Sequence, residues 1–352
     1  MTRAGFVALA GRPNVGKSTL TNAIVGTKVA IVSDRPQTTR RAVRGVATGP
    51  DWQLVLVDLP GVQRPRDELT ARMARRVTLE LADADAALML LNGEEAVGPG
   101  DRFIAASLAQ APGAVTVAVN KVDRLSRERQ AQALLAAAEI APASAEVFPI
   151  SARSGEGVAA LVEHLVGQLP ESPFLYPTAQ RSDMVREDLL AELIREQVLR
   201  RTFQELPHAV GVVIEALTAD ERDPPSRGAG PPSRGSGPPS RGSGPPSRGT
   251  GPTSRGADPR SRGEDPTSRG AGPRSPGAGG ELTRVDALIW VETESQKAIV
   301  VGRGGHMIKA IGTAARRELE RELGGRVHLS LIVRVRRHWR ADDGLLDRLG
   351  IQ

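Results

Sequence analysis

The sequence predicts an α/β domain with a mostly parallel sheet, followed by a smaller α+β domain that carries a long insertion. Three observations lead there. Strand-sized apolar runs alternate with helix-period segments up to residue 169. A proline-bearing stretch then breaks the alternation. Beyond it the order is helix, strand, strand, helix, strand, with a low-complexity tract between the first two strands.

In residues 1–169, the runs Phe6–Leu9, Leu54–Val57, Ala87–Leu91, Val115–Val119 and Val147–Ile150 are short enough for strands. Glu68–Leu81 and Arg127–Ile140 between them carry helical periodicity. A parallel sheet of this kind binds its ligand at the carboxyl ends of its strands. Residues 170–183, opening with 170-PESPFLYPTAQ-180, read as a linker. Residues 184–340 form the second domain. A helix is expected in 186–204, with Leu189, Leu190, Leu193, Ile194, Val198 and Leu199 apolar, and strands in 209–217, 285–292 and 327–335. The tract 219–282 is built of near-repeats of PPSRGSG and has almost no apolar side chains, so it cannot offset the entropy of ordering and is expected to be disordered. Its flanks read as neighbouring strands, and loop closure costs only about 0.6 kcal/mol per doubling of length. Its Arg-Gly pairs are either RNA contacts or a neutral expansion. Residues 341–352 read as a tail.

Composition removes several classes of function. The 352 residues contain no cysteine, which excludes a disulfide framework, a thiolate metal site and a cysteine nucleophile. The opening MTRAGFVALAGRP lacks the apolar core of a signal peptide. No apolar run approaches the roughly 20 residues of a spanning helix. The net charge of +6, carried mostly by the second half, points to a polyanion, to an anionic membrane surface, or only to a solvated surface.

Four pieces of the first domain specify a nucleotide. The stretch 11-GRPNVGKS-18 fits G-x-x-x-x-G-K-[ST] between a strand and a helix. There the backbone from Gly11 through Arg12, Pro13, Asn14, Val15 and Gly16 to Thr19 wraps phosphate, Lys17 reaches the β/γ oxygens and Ser18 holds Mg²⁺. In 58-DLPG-61 a strand-end Asp58 can hold Mg²⁺ through water and the Gly61 N–H can meet a γ-phosphate, with Leu59, Pro60 and Val62 beside them. In 120-NKVD-123, Asn120 and Lys121 precede Asp123, whose carboxylate accepts from guanine N1–H and the 2-amino group at once. Ser151 and Ala152 follow another strand, where the Ala152 N–H can reach guanine O6. Within 37-QTTRR-41, Thr39 is placed to complete the Mg²⁺ shell only when a γ-phosphate is present. Many GTPases put a Gln after the D-x-x-G motif to orient the attacking water, and this chain has Val62.

The second domain has a different glycine loop, 300-VVGRGGHMIKAIG-312. A strand-like apolar segment leads into Gly302, Arg303, Gly304 and Gly305, and a helix follows with Ile308 and Ile311 inward. No G-K-[ST] ending is present, so this is a G-x-x-G clamp for single-stranded nucleic acid rather than a second nucleotide site, with Arg303, Lys297 and Lys309 adding charge. The helix before the first strand makes the topology type II KH. The run 334-RVRRHWR-340 either binds phosphate or is a solvated strand end.

Taken together these segments resemble the bacterial Era GTPases. The likeness rests on 11-GRPNVGKSTLTNAIVGTKVAIVS-33, 36-PQTTR-40, 58-DLPG-61, 98-GPGDRFIA-105, 120-NKVD-123, 206-LPHAVGVVIE-215, 295-SQKAIVVGRGGHMIKAIGTAAR-316 and Trp339 near the end. It implies a P-loop GTPase domain joined to a type II KH domain, GTP hydrolysis with Mg²⁺, and Lys17, Thr39, Gly61 and Asn14 as the catalytic set. In related GTPases an Asn at position 14 helps place a potassium ion against the phosphates. The resemblance further implies a monomer that binds the 3′ end of 16S rRNA and the 30S subunit, assists its assembly and couples it to growth. It implies a cytoplasmic protein with peripheral association to the inner face of the cell membrane. Leu59 departs from the family's usual Thr, and the low-complexity insertion is no part of the usual pattern. An alternative reading is a membrane-associated signalling GTPase whose KH-like half is a protein adaptor. A third, drawing on Val62, is a constitutive RNA chaperone with vestigial nucleotide binding.

Overall fold

Six strands order as β2-β3-β1-β4-β5-β6 in the first domain of the computed structural model, which describes residues 1–33, 38–61, 67–202, 209–220 and 282–351. They are β1 (Arg3–Ala10), β2 (Val43–Thr48), β3 (Trp52–Asp58), β4 (Ala86–Asn92), β5 (Ala114–Asn120) and β6 (Val147–Pro149). All pairings are parallel except β2 with β3. The inner strands are covered on both faces, which explains their continuous apolar runs; every residue of β4 is buried. The antiparallel edge strand β2, sequence VRGVAT, mixes charge and glycine with its apolar residues and carries no strand signal.

Helices α1 (Lys17–Val25), α2 (Glu68–Asp83), α3 (Pro99–Leu108), α4 (Arg127–Ile140) and α5 (Val158–Gln168) complete the layers. Local chemistry fixes their starts. Asp67 and Thr70 form a capping box at α2, and Ser126 caps α4.

The expected linker is not loose. Its chain is strapped along the domain: Arg3 bridges Glu171, Gly45 bridges Ser182, and the Val46 N–H donates to Arg181 O. Gln53, fully buried, ties down the middle. Its Oε1 accepts from the N–H groups of Leu175 and Tyr176, and its Nε2 donates to Tyr176 O and Thr48 Oγ1.

The second domain runs α6 (Arg186–Arg201), β7 (Gly211–Asp220), β8 (Leu282–Val291), α7 (Glu294–Val301), α8 (His306–Leu323), β9 (Arg326–Val335) and α9 (Asp343–Arg348). Its sheet orders β7-β8-β9, with β7 antiparallel and β9 parallel to β8, as a type II KH topology requires. Asp220 pairs with Leu282, so the chain leaves and re-enters the sheet at adjacent positions. The disorder expected over 219–282 concerns residues 221–281, which lie outside the described residues, while the two flanking residues belong to β7 and β8.

Two expectations are corrected. The apolar run before the G-x-x-G turn is the last turn of helix α7, not a strand. Four apolar residues cannot distinguish the two states, and the Thr293–Gln296 capping box that starts the helix lies outside that run. The tail, in turn, holds the short helix α9. Its Leu346, with Leu349 and Ile351, packs on Leu69 and Met73 of α2 and on Trp290 and Trp339. Arg72 of α2 donates to Asp343, Asp347 and the Ile351 carbonyl. A Leu346→Ala substitution should lower stability by about 2–5 kcal/mol through the buried cavity it leaves, measured as a drop in thermal midpoint; an unchanged midpoint would mean that α9 is not docked.

Candidate functional site

The loop from Gly11 to Gly16 leaves the end of β1, and α1 begins at Lys17. Glycine is required at position 16: its φ is 103°, and a Cβ there would lie 2.2 Å from Asn120 Nδ2. Asn120, at the end of β5, holds two loops together. Its Nδ2 donates to Val15 O at 2.8 Å, and its Oδ1 accepts from Ala152 N at 2.9 Å. The Ala152 N–H expected to meet guanine O6 is therefore engaged by Asn120 here, and a contact with the base would have to be shared.

A cavity of about 390 Å³ opens between these loops. The predicted residues Pro13, Asn14, Gly16, Lys17, Ser18, Thr19, Thr39, Gly61, Asn120, Lys121, Asp123, Ser151 and Ala152 line it. Ile31, Val32, Ser33, Thr38, Arg124 and Arg153 also line it, and the sequence reading does not single them out. Arg124 and Arg153 adjoin recognised motifs, so their position is available as a signal; Ile31 and Val32 look like ordinary apolar residues. Val62 lies outside the described residues. Leu59 does not face the cavity: its side chain is fully buried beside Ala8, Val57 and Val77, so the usual Thr is replaced by a core residue. Val15 is likewise a core side chain that serves the site through its carbonyl.

The phosphate end is charged and dry. Lys17 is buried and donates to Gly11 O (3.0 Å) and Arg12 O (3.1 Å). Burial pushes its ammonium below the ordinary lysine range, and the nearby Asp58 carboxylate partly offsets this. Asp58, at the end of β3, is pushed upward by its own burial, against the opposing pull of Lys17, Ser18 and Thr39. Ser18 Oγ donates to Asp58 Oδ2 at 2.6 Å and lies 3.1 Å from Thr39 Oγ1. Thr39 Oγ1 donates to the same carboxylate oxygen at 3.5 Å. The three expected metal ligands thus converge, although they are distant in sequence. Arg12 turns away from the cavity and pairs with Glu95 and with Asp101 of α3, each at 3.2 Å. Lys121 pairs with Glu94 at 3.2 Å beside the base end.

The segment carrying Thr39 is bounded on its other side by α6. Arg195 is 2% exposed; its Nη2 donates to Thr38 O, and its Nε donates to Glu192 at 2.9 Å. Arg40 Nη1 donates to Val210 O at 2.7 Å, and its guanidinium sits 5.4 Å from the Trp339 ring centroid. Burial, reinforced by neighbouring Arg195, pushes Arg40 down to about 9. Glu196, fully buried, accepts from Lys28 (2.5 Å), the Val32 N–H (3.0 Å) and Arg200 (3.0 Å).

The second glycine loop is a separate device. Gly302 has φ 73°, and a Cβ there would fall 2.6 Å from Met307 Cβ. Gly304 and Gly305, also at positive φ, have nothing within 4 Å of a notional Cβ, so a phosphate backbone can approach them closely. Arg303 and Lys309 are exposed, and α8 starts at His306 with its N–H groups toward this turn. Lys297, half-buried, lies 3.9 Å from Glu294. Two apolar side chains near the loop, Ile299 of α7 and Ile332 of β9, are exposed at 48% and 47%, and sequence periodicity gives no sign of them. The run 334–340 is only partly a solvated strand end: Trp339 is buried and donates to Ala209 O, and Arg340 pairs with Glu292 and Asp67.

Because Asn120 satisfies groups on both loops, Asn120→Ala should weaken mant-GDP binding about 10- to 100-fold, the equivalent of one or two lost buried hydrogen bonds. Unchanged affinity would show that the loops hold their shape without it.

A profile described as 50S ribosome-binding GTPase matches residues 6–121, and a KH domain profile matches residues 276–340. GTPase Era of Mycobacterium sp. (strain KMS) is 38% identical over 351 residues, covering 99% of this chain and 98% of that protein. GTPase Era of Mycobacterium avium (strain 104) is 39% identical with the same coverage. Among solved structures, Era in complex with MgGDPNP and nucleotides 1506–1542 of 16S ribosomal RNA superposes with TM-score 0.80 at 28% identity, covering 100% of this chain and 99% of that one. A point variant of Aquifex aeolicus Era bound to GDP·AlF4⁻ gives 0.79 at 27% identity, covering 99% of each chain. With a GTPase domain, a type II KH domain and this likeness along its full length, the chain belongs to the Era family of GTPases.

Proposed function

We propose that this chain is a GTP-driven switch that binds the 3′ end of 16S rRNA and assists assembly of the 30S subunit. The observation that carries this reading is the full-length likeness to an Era protein solved with MgGDPNP and nucleotides 1506–1542 of 16S rRNA. The exposed G-x-x-G turn with Arg303 and Lys309 supplies the matching chemistry.

The donor set beneath the cavity fits Mg²⁺. Asp58 Oδ1 is buried and has no hydrogen-bond partner among the described residues, and the Ser18 and Thr39 hydroxyls gather at Oδ2. Ser18, Thr39 and Asp58 would hold the ion, and the bound ion supplies positive charge against the phosphate oxygens. Lys17 places its ammonium at the phosphates, and the N–H groups at the start of α1 add their partial charge. Asp123 selects guanine at the opposite end of the cavity. Asn14, which lines the cavity with φ 64°, is assigned to a potassium ion. Turnover should then be faster in potassium than in sodium, and equal rates would remove that assignment.

Family membership supports the remaining parts of the proposal: a cytoplasmic monomer, peripheral association with the inner face of the membrane, and coupling of assembly to growth. No described helix is long and apolar enough to cross a membrane. Co-sedimentation with anionic vesicles without RNA, combined with no RNA affinity, would favour the adaptor reading.

The direct test is fluorescence anisotropy of a single-stranded RNA matching the 16S 3′ end, with a scrambled control. The form loaded with a GTP analogue should bind tighter than the GDP form and prefer the matching RNA. Arg303→Ala with Lys309→Ala should weaken binding and reduce the salt slope by about 2. Equal binding by the two nucleotide forms would overturn the switch.

A further inference from the structure

Thr39 has both sequence neighbours held by the KH half of the molecule. Before it, Thr38 O accepts from Arg195 of α6. After it, Arg40 is fastened to Val210 O at 2.7 Å and lies over the Trp339 ring. Val210 directly precedes β7, and Trp339 follows β9. Arg195 is itself fixed by two bonds to Glu192, at 2.9 and 2.5 Å. Arg41, the next residue, adds a 2.5 Å pair with Asp188 of the same helix. Three consecutive α carbons span only about 7 Å, so anchoring positions 38 and 40 leaves the Thr39 hydroxyl little freedom. That hydroxyl sits 3.1 Å from Ser18 Oγ and 3.5 Å from Asp58 Oδ2.

We propose that Arg195 and Arg40 are positioning residues for Thr39, so that the KH domain prearranges the GTP-specific part of the nucleotide site. The inference rests on the reading of Thr39 as a Mg²⁺ ligand in the GTP state. Its physical content is differential. Thr39 contributes when a γ-phosphate and metal are present and contributes little with GDP, so holding it in place favours GTP over GDP rather than both alike. A clamp that only stabilised the fold would change both affinities together. Neither arginine lines the cavity, so any effect on nucleotide must pass through the backbone beside Thr39.

The test uses the full chain and measures Kd for a mant-labelled GTP analogue and for mant-GDP across a Mg²⁺ titration. Arg195→Met should weaken analogue binding about tenfold, leave mant-GDP within about twofold, and raise the Mg²⁺ concentration needed for analogue binding. Arg195→Lys, which can still donate to Thr38 O, should recover most of the loss. Arg195→Met combined with Thr39→Ala should be no worse for the analogue than Thr39→Ala alone, because both remove the same contribution. Equal weakening of the two nucleotides, or full additivity in the double variant, would overturn the proposal. If Thr39→Ala alone leaves the analogue-to-GDP ratio unchanged, the metal reading of Thr39 fails and the proposal falls with it. Should Arg195→Met fail to bind mant-GDP, Arg40→Lys carries the test. It keeps a cation beside Trp339 but loses the guanidinium fork, and it must show the same selective loss or the proposal is wrong.

Discussion

Burying the polar face of a helix is unfavourable unless every charge on it meets a partner, and α6 does this between two domains. Its apolar face, with Leu190, Ile194 and Val198, belongs to the KH core. Its other face carries Arg195, Glu196 and Gln197, all nearly inaccessible to water. Desolvation of such charges costs several kcal/mol each. The cost is offset because Glu196 collects three donors from Lys28, Val32 and Arg200, and Arg195 bridges Glu192 to Thr38 O. Burial alone would raise Glu192, yet Arg195 holds its carboxyl below the usual range. Removing any single member would strand its partners. The Lys28–Val32 and Thr38–Arg41 stretches and the KH domain are therefore constrained to one mutual arrangement.

That constraint organises both functional loops. The nucleotide loop is built from strand ends of the first sheet and is stapled internally by Asn120. The G-x-x-G turn is built from α7 and α8 and makes its own geometry through Gly302. Neither needs the other to form. What joins them is the segment around Thr39, which contacts the metal ligands on one side and α6 on the other. The C-terminal residues add a second connection, because α9 packs on α2, the helix that follows the D-x-x-G motif. Phosphate recognition and RNA recognition thus meet at backbone that a γ-phosphate would order.

Much of this is legible in the sequence because it is locally encoded. The parallel strands show as apolar runs, and the motif residues fall at strand ends where a parallel sheet presents them. Thr39, Ser18 and Asp58 are grouped by their chemistry, and the fold brings their oxygens together. What the sequence hides is tertiary. The charged face of α6 looks solvent-directed, and only its partner segment makes it interior. Gln53 is one polar residue in a strand, and nothing nearby indicates that four hydrogen bonds await it in residues 48 and 175–176. The tail reads as polar because its three anchors, Leu346, Leu349 and Ile351, are spread among charges. The apolar run ending at Val301 is ambiguous because four residues fit either period. Leu59 belongs to the nucleotide loop by motif position, while its side chain, just past the end of β3, turns into the core.

The central claim is that nucleotide and RNA are coupled through this one arrangement, and coupling free energy is reciprocal. The most direct measurement is the affinity of the full chain for a GTP analogue and for GDP, each with and without saturating 16S 3′-end RNA. The account predicts that RNA tightens analogue binding by the same factor by which the analogue tightens RNA, and tightens GDP binding less. RNA that leaves both nucleotide affinities unchanged would contradict it, and the two glycine loops would then be independent sites on one chain.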